Sequence, residues 1–164
     1  MKAQERIRQH LTVLYREQSP RVWIELLAIL EAFGRSHPEL QEYDRKAGRL
    51  SERDAILITY GDQIREPGCM PLQTLAAFGA AHLQGVINTI HILPFFPYSS
   101  DDGFSVIDYW RVNPQFGAWA DIDSLGERFQ LMFDAVINHI SRQSEWFTAY
   151  QQGVEPYTDY FITI

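Results

Sequence analysis

Three short stretches of the chain concentrate residues able to hold or transform a ligand. "TYGD" carries Tyr60 and Asp62. "SSDDGFSVIDY" carries Asp101, Asp102, Phe104, Asp108 and Tyr109. "DAVINH" carries Asp134, Asn138 and His139. Carboxylates accept hydrogen bonds, while amides and imidazoles both donate and accept. Such a set suits a polyhydroxylated ligand, which needs donors and acceptors at fixed positions. A carboxylate in a buried strand must itself be satisfied by hydrogen bonds. "DAVINH" therefore also reads as a structural polar network tying one strand end to its neighbour, and buried networks serve both uses. In "SSDDGF" the two adjacent aspartates repel if both are buried and ionised. One is then expected to face a ligand or cation, the other solvent or a backbone amide. Gly103 permits a tight turn, and Phe104 offers an apolar face on which a sugar ring can stack. The same residues also fit an acidic surface turn.

A calcium reading exists, with oxygen ligands from Asp101, Asp102, Asp121 and Asp123, but the spacing is not that of an EF-hand. Cys69 and the scattered histidines form no zinc pattern. The chain has no G-x-G-x-x-G, P-loop or G-x-S-x-G motif.

The elements that position these stretches follow from apolar spacing. Ile7, Leu11 and Leu14 recur at helical period, and so do Val22, Trp23, Leu26, Leu27, Leu30 and Phe33. Ser19 and Pro20 read as the N-cap and first turn of the second helix, with Gly34 as its stop and Pro38 beyond. Two amphipathic helices thus lead the chain, with an expected role on the outside of a larger body. The polar segment "RSHPELQEYDRKAGRLSERD" links them to the remainder of the chain. From there the pattern alternates: "AILITY", "GVINTIHIL" and "QLMFDAVINHI" read as short strands buried on both faces. "PLQTLAAFGAAHL", "DIDSLGERF" and "SEWFTAYQQ" read as helices. Alternation of this kind argues for βαβ units and a parallel sheet, an α/β fold. The connection from Pro94 to about Ala120 is too long for an ordinary loop and rich in aromatics. It reads as ordered and functional, at the C-terminal end of a strand, where α/β proteins place ligands.

Composition narrows the function class. Of 164 residues 46% are hydrophobic, which suits one globular domain with a real core. A net charge of −7 argues against nucleic acid and against anionic membranes as partners. The single cysteine rules out an internal disulfide and suits a reducing cytosol. The charged N-terminus lacks the apolar core of a secretory signal, and no apolar run reaches the roughly 18 residues of a membrane span. The expected location is cytoplasmic.

"LITYGD", "HILPFFPYSSDDGF", "WADI", "DAVINHIS" and "EPYTDYFIT", in this order, resemble the sucrose phosphorylase-like branch of the α-amylase superfamily over about residues 55 to 164. "DAVINH" looks like the superfamily's first conserved motif, at the end of the third barrel strand. The extra N-terminal helices and "PYSSDDGFSVIDY" look more like the glucosylglycerate and sucrose 6-phosphate phosphorylase relatives. The resemblance implies a (β/α)8 TIM barrel with its site at the C-terminal strand ends, residues 1–50 being a helical extension and 51–164 the first three strands of the barrel. It implies retaining glucosyl transfer from an α-glucoside to inorganic phosphate, giving α-glucose 1-phosphate, with no metal and no organic cofactor. It assigns Asp101 and His139 to the glucosyl hydroxyls and Phe104 to the sugar ring, and it makes Tyr60, Asp62, Asp134 and Asn138 supporting residues. In many amylases the residue matching Asn138 binds calcium, a site the phosphorylase branch generally lacks.

The family's nucleophile aspartate follows the fourth strand, its acid/base glutamate the fifth and a His-Asp pair the seventh. None of these motifs occurs in the chain. Residues 51–164 also fall far short of the roughly 250 residues of such a barrel. The expectation is the N-terminal part of an enzyme, inactive alone, with an apolar sheet edge left open. The alternatives are a hydrolase or transglucosidase of the same superfamily, or a non-catalytic remnant or complementing module.

Overall fold

Apolar residues at helical spacing fold the N-terminal stretch into α1 (Ala3–Tyr15) and α2 (Ser19–Ser36). The computed structural model describes residues 3–40, 52 and 54–163, and the chain divides into two units, Met1–Arg49 and Leu50–Ile164. Within the first, Leu11 of α1 and Trp23 of α2 are buried, and the Arg8 guanidinium lies 4.6 Å from the centroid of the Trp23 ring. Two details differ from expectation. A single 3-10 turn, Arg16–Gln18, carries the chain from α1 directly into α2, so Ser19 is the first residue of α2 instead of its cap. Gly34 lies inside the last turn of α2, and the helix ends at Ser36, where the His37 N–H donates to the Phe33 carbonyl at 3.0 Å. A glycine inside a helix costs only about 1 kcal/mol relative to alanine, and Ser36 Oγ, donating to the Phe33 carbonyl at 2.9 Å, helps close the turn beyond it. Most of the polar connector expected over 35–54 lies outside the described residues.

In the second unit three short apolar runs form β1 (Ile56–Thr59), β2 (Thr89–Ile92) and β3 (Gln130–Phe133), paired in parallel in the order β1-β2-β3. The register sets Ile58 beside His91 and His91 beside Met132. Parallel strands need a crossover, and helices supply it. α3 (Pro71–Phe78) begins on a proline suited to a first helical turn and continues through a wider turn, Gly79–Leu83. α4 (Trp119–Gly126) returns the chain to β3, and α5 (Glu145–Gln151) comes next, capped by the Ser144 hydroxyl accepting from the Trp146 N–H at 3.2 Å. No described helix is long and apolar enough to cross a membrane.

The core lies on one side of this sheet. Ile90 and Ile92 of β2 pack with Leu72 and Leu75 of α3, Ile122 and Leu125 of α4, and Phe95 and Phe116 from the long connection. Each such side chain taken out of water contributes about 1.5–3 kcal/mol. The expectation that all three strands are buried on both faces is therefore corrected. On the opposite face Ile56 is 48% exposed, Ile58 62% and Met132 41%. The physical reason is coverage: the helices pack on the face that carries Ile90 and Ile92 only, and β1 and β3 are edge strands. A second correction concerns Asp134. β3 ends at Phe133, so Asp134 is the first residue beyond the strand and not part of it.

The start of the sheet is fixed by one amide. Asn88 Oδ1 accepts from the Ala55 N–H at 3.2 Å and the Thr89 hydroxyl at 3.1 Å, and its Nδ2 donates to Asp54 at 2.7 Å. Its backbone carbonyl accepts from the Gln130 N–H at 2.9 Å. Replacing Asn88 by alanine leaves the Ala55 N–H without its acceptor. Stability in urea is expected to fall by about 1–3 kcal/mol, seen as a lower unfolding midpoint at an unchanged slope.

Candidate functional site

Parallel strands deliver their C-terminal ends to one side of the sheet, and the three polar stretches all lie there. After β1, Tyr60 and Asp62 are half-buried. The Asp62 carboxylate pairs with Arg65, whose Nε also donates to the Asp62 carbonyl at 3.2 Å. After β2 the connection is less irregular than its sequence suggests. Tyr98 and Val106 form an antiparallel bridge, the Ser99 N–H donates to Ser105 O at 3.0 Å, and the Ile107 N–H donates to Pro97 O at 2.7 Å. The tip of this hairpin is "SSDDGF". Asp101, Asp102 and Gly103 there have φ of 61°, 47° and 102° in succession. Gly103 is required: a Cβ would stand 2.6 Å from the Pro94 carbonyl oxygen. Both aspartate side chains are exposed, so the expected repulsion of two buried charges does not arise.

The residues after β3 are held by this hairpin and by β2. His91, on the open face of β2, places Nε2 3.0 Å from Asp134 Oδ2, both side chains being mostly buried. The carboxylate expected to need a partner thus has one, from a residue that sequence reasoning passed over. The available signal was a lone imidazole in the apolar run "TIHIL". His139 Nε2–H donates to the Phe104 carbonyl at 3.0 Å, which leaves Nδ1 of a neutral ring as an acceptor. The Tyr109 hydroxyl donates to the carbonyls of Val136 and His139. Ser141 N–H donates to Val106 O at 2.9 Å, and its hydroxyl lies 2.6 Å from that of Ser99. Among the described residues the Asp101 carboxylate and the Asn138 amide make no hydrogen bond.

Aromatic rings continue the same connection. Phe95, buried in the core, stacks on Phe96 at 4.7 Å between centroids and meets Trp119 edge-on at 5.6 Å. Phe96 meets Tyr109, and Tyr109 meets Trp146, each at 5.6 Å. Two concavities flank this wall. One, of about 290 Å³, is lined by Tyr60, Asp62, Pro94, Tyr98, Asp102 and Phe116. The other, of about 910 Å³, holds Tyr109, Trp110, Asn138, His139, Trp146 and Tyr160 among its lining residues. Of the adjacent aspartates it is Asp102 that lines the smaller concavity. Among the described residues no three His, Cys, Asp or Glu side chains converge as a metal site. Asp121, one of the oxygens weighed for calcium, instead accepts from the Ala118 N–H at 2.8 Å at the start of α4 and from Gln73 at 3.0 Å.

Residues 83–164 match the family described as alpha amylase, catalytic domain. Over 166 aligned residues the chain is 46% identical to a glucosylglycerate phosphorylase of Spirochaeta thermophila, the match taking in 100% of this chain and 28% of that protein. A sucrose phosphorylase of Streptococcus mutans is 41% identical over 109 residues, 65% of this chain and 22% of that protein. Among solved structures, sucrose 6F-phosphate phosphorylase from Thermoanaerobacter thermosaccharolyticum superposes with a TM-score of 0.55 at 36% identity, over 63% of this chain and 20% of that one. The chain spans less than a third of the length of these relatives.

Tyr109 is the joint whose loss is easiest to read. Burial raises its phenol pKa above the ordinary 10.0. The protonated phenol is the form the fold prefers, so its contribution is complete below pH 10 and is lost as pH rises through the raised folded value. Tyr109→Phe is expected to cost about 0.5–1.5 kcal/mol at neutral pH. The gap between wild type and Tyr109→Phe should narrow above pH 10, measured by urea unfolding from pH 7 to 11. A gap that widens with pH contradicts the assignment.

Proposed function

The chain belongs to the α-amylase superfamily, in its sucrose phosphorylase-like branch, and from that membership we propose that it forms the donor-sugar side of a glucoside phosphorylase site. Its three parallel strands with their helices match part of the superfamily's (β/α)8 barrel. In this reading residues 51–164 belong to the catalytic barrel and residues 1–50 are an extension to it. The reaction is retaining transfer of a glucosyl group from an α-glucoside to inorganic phosphate, releasing α-glucose 1-phosphate.

The observation that carries this reading is the identity of the two relatives compared above by sequence, both of them phosphorylases. Their coverage supports a finer choice. The glucosylglycerate phosphorylase aligns with the whole chain, the two N-terminal helices included, whereas the sucrose phosphorylase aligns with 65% of it. We therefore favour glycerate as the leaving group over fructose or fructose 6-phosphate.

Each side chain then has a role consistent with its surroundings. Asp101 has a free carboxylate for glucosyl hydroxyls. His139, oriented by its bond to Phe104 O, offers its second nitrogen to the same sugar. Phe104 packs on the ring. Asp134, held by His91, fixes the end of β3, and Asn138 lies on the loop beyond it. Tyr60 and Asp62 shape the wall after β1. The 164 residues contain no nucleophile or acid/base motif of the family, so by themselves they bind a sugar without cleaving it. A cytoplasmic location suits the lone thiol and the use of free phosphate as substrate.

A graft tests the assignment. This chain replaces the aligned 166 residues of the Spirochaeta thermophila enzyme, and glucosylglycerate turnover is followed with and without phosphate. Phosphate-dependent release of α-glucose 1-phosphate is expected. Asp101→Asn or His139→Ala within the graft should lower it by a factor of about 100 or more, the scale of a lost buried charge-assisted hydrogen bond or two. Equal turnover without phosphate assigns a hydrolase instead. Glucose 1-phosphate made by the 164-residue chain alone overturns the restriction to binding.

A further inference from the structure

We infer that Tyr109 is a positioning residue for sugar recognition: its hydroxyl, bonded to two carbonyls of the loop after β3, fixes His139 against the donor sugar before the sugar arrives. The inference rests on the reading of His139 as a sugar ligand and adds to it the residue through which the connection after β2 controls that ligand.

The loop needs such a restraint. Residues 134–140 form no helix or strand, and Ile137, Asn138 and His139 are exposed. The backbone bond inside this segment runs from the Ile137 N–H to the Ala135 carbonyl at 2.9 Å. A segment with so little structure of its own keeps conformational freedom, and a binding group on it loses affinity to the cost of ordering unless contacts from outside order it first.

The Tyr109 hydroxyl supplies those contacts. Its one proton is directed at the carbonyl of Val136 and, at 3.2 Å, at that of His139. Two carbonyls of neighbouring residues thus converge on one oxygen, which curls the segment from Val136 to His139 around it. The phenol is itself anchored. Its ring meets Phe96 at 5.6 Å between centroids, and Phe96 stacks on Phe95, a core residue. Trp146 of α5 meets the same ring at 5.6 Å. Burial raises the phenol pKa, so the donated proton stays in place at neutral pH.

The imidazole of His139 is held as well as its backbone. Nε2–H donates to the Phe104 carbonyl at 3.0 Å, in the same connection that carries Tyr109. One connection therefore sets both the main chain and the ring of His139, and it leaves Nδ1 as the acceptor for a sugar hydroxyl. Tyr109 and His139 line the same concavity of about 910 Å³, so the restraint acts where that nitrogen is presented. A displacement of about 1 Å in a binding group can cost a factor of about 100 in rate, which makes such a restraint worth more to turnover than to the fold.

The test uses the graft described above in four versions: unchanged, Tyr109→Phe, His139→Ala and both together. Tyr109→Phe is expected to lower kcat/KM for glucosylglycerate by about tenfold. With His139→Ala already present the same change should cost less than about twofold, because the group it positions is gone. In the 164-residue chain, 15N NMR at about pH 8.5, where free imidazole is neutral, should show the wild-type His139 ring as the Nε2–H tautomer. In Tyr109→Phe the ring nitrogens should move toward a mixture of tautomers. Equal losses of kcat/KM in both backgrounds overturn the inference, since a general loosening of the fold or a direct contact of the phenol with substrate gives that result. So do ring nitrogens that Tyr109→Phe leaves unshifted. If Tyr109→Phe leaves kcat/KM unchanged while His139→Ala still lowers it, the positioning role is overturned and the sugar-binding reading is spared. A graft without turnover, or one that His139→Ala leaves fully active, overturns both.

Discussion

Two parallel strands cannot be joined by a tight turn, and the arrangement of residues 54–163 follows from that constraint. Each connection has to travel back along the sheet, and a helix is the shortest way to do so with its own backbone groups satisfied. α3 and α4 are those helices. Their apolar faces meet Ile90 and Ile92, which gives the unit its core. The same constraint sends every strand's C-terminal end to one side. Residues that come after Thr59, Ile92 and Phe133 are neighbours in space because the strands are parallel, whatever their separation in sequence. Polar groups gathered there do not have to be buried in the core to come together.

Bringing loops to one side does not by itself order them. Residues 93–118 form the longest connection, and fixing it has an entropic cost of about 1–2 kcal/mol per residue. Three kinds of contact offset this. The hairpin around Tyr98 and Val106 satisfies backbone groups locally. Phe95 anchors one end in the core, and the Asn113 N–H donates to its carbonyl at 2.8 Å. Tyr109, Phe104 O and Ser99 then tie the connection to residues 136–141. The last set matters for function because it is mutual. The loop after β3 contains exposed Ile137, Asn138 and His139 and has little core of its own. It takes its shape from the loop after β2, and Tyr109 bridges the two through carbonyls that no other described side chain contacts.

How much of this was legible in the sequence depends on whether the signal was local. Apolar runs bounded by Pro71, Pro94 and Gly85 placed the strands and helices, since each run is one element. The order of "LITYGD", "HILPFFPYSSDDGF" and "DAVINH" carried the family. Burial of the strands was misjudged because an apolar run specifies what can be buried, while coverage depends on which partners are present. Ile58 is as apolar as Ile90, yet one is open and the other closed. The tie between His91 and Asp134 joins residues 43 apart, and no local pattern announces it. The end of α2 was misplaced for the opposite reason. Gly34 is a strong local signal, but one glycine costs too little to end a helix, and the last turn closes beyond it through Ser36 Oγ and the His37 N–H, both donating to the Phe33 carbonyl.

The adjacent aspartates show where a local signal is real and still incomplete. Three successive residues with positive φ are costly for ordinary side chains, about 1–2 kcal/mol each for a non-glycine residue. Position 103 requires glycine because of Pro94. Positions 101 and 102 require types that tolerate the left-handed region, which means Asn, Asp or Gly. Asparagine meets that demand as well as aspartate and adds no charge. The backbone therefore accounts for the shape of "SSDDGF" but not for its two carboxylates. Two like charges side by side at a turn tip, neither paired with a described cation, work against the compactness of an already acidic chain with net charge −7.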